Sequence, residues 1–152
     1  MRVKGTYRYD AAPEQVYDLL LDPTALQACI PGCEQLEATG VDQYRAILKV
    51  GVSAIRGTFE GDVTISDREP GRSYRMHVTA KGGPGSVSGS ATIRLTADGD
   101  QTVVDVDGDA KIAGPAAGVA QRLFGGIASS MMNQFFGCLR TRLPSASTAE
   151  GR

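Results

Sequence analysis

The sequence predicts an α+β domain: a curved antiparallel sheet of about seven strands wrapped around one long C-terminal helix, with two short helices after the first strand. Three observations predict it. From residue 34 to 112 the chain reads as successive strands joined by short turns, which implies an antiparallel meander. Four of those strands in a row have one apolar and one polar face, so helices must gather on a single side. The longest helically periodic stretch, 116–143, comes last and needs a partner for its apolar arc.

The elements follow in order. Residues 2–9 alternate weakly, with Val3, Gly5, Tyr7 and Tyr9 against Lys4, Thr6 and Arg8, as a strand does. Pro13 suits a first helical turn, and Val16, Tyr17, Leu19, Leu20 and Leu21 make a short amphipathic helix. Asp22 is the candidate N-cap of a second short helix, which Pro31-Gly32 ends in a turn. Strands are expected at 34–39, 43–51, 55–66, 73–82, 86–97 and 102–112, separated by breaks at 40–42, 69–71, 82–85 and 98–100. Gly114-Pro115 closes the section, and Pro144 stops a final helix of roughly 40 Å at 1.5 Å per residue. The domain is expected to span 1–143, and the small polar tail 144–152 to be disordered.

Period-two reading puts Phe59, Gly61, Val63 and Ile65 on one side of their strand, with Tyr74, Met76, Val78 and Ala80 on the next. Val87, Gly89, Ala91, Ile93 and Leu95 follow, then Val104, Val106, Gly108, Ala110 and Ile112. Gly61, Gly89, Ala91, Gly108 and Ala110 give this face little volume. One reading is that they let the sheet bend or the helix approach; the other is that they leave room for a ligand. On the long helix, Ala120, Phe124, Ile127, Ala128, Met131, Met132, Phe135, Phe136, Cys138, Leu139 and Leu143 cover about half the circumference, wider than a surface helix needs. Arg122, Ser129, Ser130, Asn133 and Arg140 lie opposite. Gly125-Gly126 inside this helix suggests a kink, a close backbone contact or a gating segment.

Composition excludes several functions. A net charge of −1 is unlike a nucleic-acid binder, which needs a basic face. No apolar run reaches the ~18 residues of a membrane span, and the first residues have no apolar signal region, so a cytoplasmic protein with at most peripheral membrane contact is expected. The odd cysteine count, Cys29, Cys33 and Cys138, then suggests reduced thiols. Cys29 and Cys33 lack the companion ligands zinc needs, so a structural turn is expected there and no metal site. The single histidine, His77, falls on the polar face, which leaves no inward nucleophile–base pair. Asp105, Asp107 and Asp109 align on the same outer face, with Arg75, Lys81 and Arg94 as expected charge partners. An enzyme would have to rely on Tyr44 and Tyr74, the only plausible polar groups inside.

The run Cys29-Ile30-Pro31-Gly32-Cys33-Glu34, with Gly57-Thr58-Phe59-Glu60-Gly61, Gly82 to Gly89 and the Phe135-Phe136 helix end, resembles the G-subunit family of carbon monoxide dehydrogenase over about residues 1–143. Ala12-Pro13-Glu14-Gln15-Val16-Tyr17 is similar to the helix entry of the wider START-like, polyketide-cyclase-like (SRPBCC) superfamily. The resemblance implies a helix-grip fold with a hydrophobic tunnel. It also implies association with a cytoplasmic carbon monoxide dehydrogenase complex that the family brings to the inner membrane. A non-catalytic carrier is expected, with no covalent cofactor, holding a respiratory quinone of menaquinone or ubiquinone type. Phe59, Met76, Val78, Val87, Ala91, Val106, Ala110, Phe124, Ile127, Met131 and Phe135 are its expected wall, and Gly61, Gly89 and Gly108 its space. The alternatives are an assembly or recruitment factor with an incidental cavity, and a cyclase- or hydrolase-like enzyme.

Overall fold

A computed structural model of the chain describes residues 1–52, 55–82, 85–114 and 117–143, without the side chains of 52, 55, 56, 117, 119–121, 123 and 124. The expected tail 144–152, the centre of the 82–85 turn and Pro115 lie outside the described residues. The elements are β1 (Arg2–Tyr9), α1 (Pro13–Leu20), α2 (Pro23–Cys29), β2 (Cys33–Gly40), β3 (Gln43–Val52), β4 (Ile55–Glu69), β5 (Ser73–Gly82), β6 (Gly85–Asp98), β7 (Gln101–Ala113) and α3 (Ala117–Thr141). The strands form one curved, fully antiparallel sheet in the order β1-β7-β6-β5-β4-β3-β2. The long-range step is β1 on β7, in register from Arg2 opposite Asp109 to Tyr9 opposite Thr102.

The two short helices begin as their sequences dictate. Pro13 occupies the first turn of α1, where its missing N–H loses nothing, and Val16, Tyr17 and Leu20 turn inward. The Ala12 N–H donates to Gln15 Oε1 at 3.4 Å. Asp22 caps α2 by accepting from the Thr24 N–H at 3.2 Å. The turn after α2 requires glycine: Gly32 has φ +77°, and a Cβ there would strike the Lys49 carbonyl oxygen. The Lys49 N–H donates to Gly32 O at 2.8 Å, which ties this turn to β3.

The core joins α1, α2 and the C-terminal part of α3 to one end of the sheet. Its members include Tyr9, Val16, Leu20, Ile65, Tyr74, Ile93, Val104, Phe136 and Leu139. Buried Thr102 is satisfied, donating to Ala11 O at 2.7 Å.

Of the surface expectations, two hold and one changes. His77 is exposed, as read from the pattern. The aspartates of β7, however, are met from β1: Arg2 pairs with Asp107 at 2.9 Å and Thr6 donates to Asp105 at 2.8 Å, whereas Arg75 lies 4.0 Å from Asp67. Local reading sees β6 beside β7 and misses β1, which comes from the other end of the chain. The polar side of α3 is exposed at Arg122, Ser129, Ser130, Asn133 and Arg140, as expected, and also carries contacts to β1. Asn133 accepts from the Tyr7 hydroxyl at 2.9 Å, and Arg140 donates to Arg8 O while its guanidinium sits 5.1 Å from the Tyr9 ring centroid. The curved sheet brings β1 up the flank of the helix.

Candidate functional site: an apolar cavity and the groove at its neck

A cavity of about 330 Å³ lies between the sheet and the three helices, at the lower end of the range for small-molecule sites, about 300–1,000 Å³. Leu20 and Leu21 from α1, with Leu26, Ile30 and Pro31 from α2 and its exit, form one wall. The sheet contributes Leu36, Tyr44, Val63, Ile65, Tyr74, Met76, Ile93 and Val106, and α3 contributes Met131, Met132, Phe135 and Phe136. Each sheet residue is an inward position of its strand, so the period-two patterns of successive strands converge here. One end is closed by Leu20, Ile93 and Phe136, all nearly inaccessible.

Tyr44 and Tyr74 are the only polar side chains in this wall among the described residues. Tyrosine hydroxyls elsewhere in the core are satisfied: Tyr9 donates to Phe136 O at 2.8 Å and Tyr17 to Ser73 O at 3.2 Å. Tyr74 packs edge-on to Tyr17 with ring centroids 5.7 Å apart, and its hydroxyl has no hydrogen-bond partner among the described residues. Burial pushes the Tyr74 hydroxyl well above the ordinary tyrosine range, so it holds its proton.

A second, open groove of about 320 Å³ adjoins the cavity and shares Pro31 and Met131 with it. Gly32, Lys49, Val50 and Gly51 line it from the β2–β3 side, and Gly126, Ile127, Ser130 and Gln134 line it from α3. Pro31 and Met131, which line both, mark the neck where an apolar chamber and a partly polar groove lie side by side. Among the described residues the glycine pair in α3 makes no close contact: a Cβ at Gly125 or Gly126 would meet nothing within 4 Å. Each glycine costs up to about 1 kcal/mol of helix stability against alanine. At Gly126 the space left by the missing side chain belongs to the groove.

Of the wall residues expected from sequence, Met76, Val106, Met131 and Phe135 line the cavity, and Ile127 lines the groove with Met131. Phe59, Gly61, Val78, Val87, Gly89, Ala91, Gly108 and Ala110 line neither, and the side chain of Phe124 lies outside the described residues. The physical reason is visible at the glycines. A Cβ on Gly89 would lie 2.6 Å from Asp109 O, and one on Gly108 would lie 2.5 Å from Ser90 O and 2.8 Å from the Ala91 Cβ. Small residues here let neighbouring strands close on each other within the sheet. Phe59 is buried with its ring over Gly82, where a Cβ would come within 2.8 Å of it. The cavity instead lies among large residues whose bulk holds the helices off the sheet. Sequence reading missed Leu20, Leu21, Leu26, Ile30, Pro31 and Leu36. A run of three leucines ending α1 was the available signal, but helical periodicity does not say which sheet positions it faces.

The thiols are also corrected. Cys29 and Cys138 are disulfide-bonded with Cα atoms 5.4 Å apart, and Cys33 is free. They are 109 residues apart in sequence, so local spacing drew attention to Cys29 and Cys33 and could not see the true neighbour. The bond joins the last turn of α2 to α3 close to Phe135 and the cavity wall. Among the described residues there is no cluster of three or more metal-ligating side chains, and no helix is long and apolar enough to cross a membrane.

Comparisons with known proteins agree with this architecture. A solved structure of a conserved protein from Geobacillus kaustophilus is 30% identical, covers 94% of this chain and 95% of its own, and superposes with a TM-score of 0.90. TTHA0849 from Thermus thermophilus shares the fold at 18% identity, 94% and 97% coverage and TM-score 0.69. The Zhui aromatase/cyclase from Streptomyces sp. R1128 does so at 18% identity, 98% and 99% coverage and TM-score 0.65. No curated protein sequence matches the chain. The helix-grip architecture of the SRPBCC proteins is therefore the fold of this molecule. The sequence profile of CoxG, the G-subunit family of carbon monoxide dehydrogenase, matches residues 5–144, nearly the whole chain, and the protein belongs to that family.

Proposed function

We propose that the protein is a non-catalytic carrier that shelters the apolar part of a respiratory quinone, of menaquinone type, and links carbon monoxide dehydrogenase to the membrane quinone pool from the cytoplasmic face. The observation that carries this reading is the cavity itself. Its described wall is apolar apart from two tyrosines, and it adjoins an open groove through a neck of two side chains. Burying a hydrocarbon chain there gains about 25 cal/mol per Å² of apolar surface removed from water. The family match supports the partner.

The same wall weighs against an enzyme of the aromatase/cyclase kind. Proton transfer near neutral pH needs a group poised to give or accept a proton, and burial holds the Tyr74 proton firmly. Organic extraction of purified, folded protein followed by mass spectrometry tests the reading. A co-purifying quinone or similar prenyl lipid is the expected result; folded protein that never yields an apolar ligand and binds no added quinone would overturn it. Met76→Trp, which fills the cavity, is expected to remove the ligand.

A further inference from the structure

We propose that the groove beyond the Pro31–Met131 neck is a head-group compartment: it holds the polar, carbonyl-bearing end of an amphipathic ligand whose chain lies in the cavity. This inference rests on the carrier reading and adds the ligand's orientation. Three observations carry it. The two spaces lie side by side against the same two residues, Pro31 and Met131. Their chemistry differs in the required sense: the chamber wall is apolar apart from two tyrosines, whereas the groove has exposed Ser130 and Gln134 at its α3 edge. Gln134 Nε2 donates to Ser130 Oγ at 3.2 Å, which leaves the second amide hydrogen and the serine hydroxyl hydrogen free for carbonyl oxygens. Gly126 is one helical turn before Ser130 on the same stripe, and the space its missing side chain leaves is occupied by no other described group.

Orientation follows from desolvation. A prenyl chain gains most in the sheltered chamber, and a quinone ring in the groove keeps its oxygens hydrogen-bonded. The redox-active ring is then at the surface, where an electron-donating enzyme can reach it.

The test uses the full chain and two probes: decylubiquinone, with a quinone head, and farnesene, a prenyl hydrocarbon without one. Affinities come from partitioning against immobilised protein. Gly126→Leu fills the groove, and its folding is favoured by the open space and better helix propensity there. It is expected to weaken decylubiquinone binding by about tenfold or more and leave farnesene within about threefold. Gln134→Leu, an exposed change, is expected to weaken decylubiquinone alone by about threefold. If both variants keep wild-type affinity for decylubiquinone while Met76→Trp abolishes binding, the compartment is refuted and the carrier reading survives. If Gly126→Leu weakens both probes equally, the groove is only an entry path and the compartment is again refuted. Wild-type protein that binds neither probe overturns the carrier reading and this inference together.

Discussion

The two halves of α3 are built to opposite specifications. The C-terminal half is fastened on every side: Phe136 and Leu139 are buried, Tyr7 stacks on Phe136 at 4.1 Å, and Cys138 is bonded to α2. Tyr9 donates to the Phe136 carbonyl, and Arg140 reaches back to Arg8. Among the described residues the N-terminal half has three glycines, Gly118, Gly125 and Gly126, at which a Cβ would touch nothing, against Gly137 alone in the other half; Arg122 and Ser129 are exposed and Ile127 and Ala128 only half-buried. The contrast teaches that the last three turns of the helix both close the fold and wall the cavity, whereas the earlier ones border only the groove. Stability and ligand access can therefore be changed separately.

The strongest way to break this contrast is to cut the covalent tie. The disulfide spans 109 residues, and the chain-entropy argument gives such a loop about 4–5 kcal/mol. Denaturant unfolding with and without dithiothreitol is expected to show a loss of about 2–5 kcal/mol; an unchanged midpoint would mean that packing alone anchors the helix. Next, Leu139→Ala removes a fully buried side chain and is expected to cost about 2–5 kcal/mol, whereas Ile127→Ala, at the groove, is expected to cost less than half as much. Equal losses would erase the distinction between the halves. Two tyrosines sharpen it further. Tyr9→Phe gives up a buried hydrogen bond and is expected to cost about 1 kcal/mol, while Tyr74→Phe gives up none and is expected to be neutral or stabilising by thermal melting. Smallest is Gly126→Ala, expected to stabilise by up to about 1 kcal/mol through helix propensity alone; a destabilised variant would show that this glycine has a packing role after all.

The strands and their faces were legible because alternation is local. The expected strand 86–97 is β6 at Gly85–Asp98, and 73–82 is β5 unchanged. Asp22 caps α2 as its position before Pro23 implies. The cavity wall was legible on α3, where Met131 and Phe135 sit among an obvious apolar set, and at Met76 and Val106 on the sheet. It was not legible at Gly89, Gly108 and Ala91. At Gly89 and Gly108 the paired strand already accounts for the missing side chain, a contact between segments that period-two reading does not contain.

The sequence by itself determined the element order, the inward and outward faces, the antiparallel class and the family. Each depends on patterns a few residues long or on motifs carried intact. Only the tertiary structure decided where along the inner face the interior opens, which cysteine finds Cys29, and that Pro31 and Met131 divide the space in two. Those facts depend on which distant segments meet, from β1 against β7 to α2 against α3, and the free energy of such meetings belongs to the packed chain as a whole.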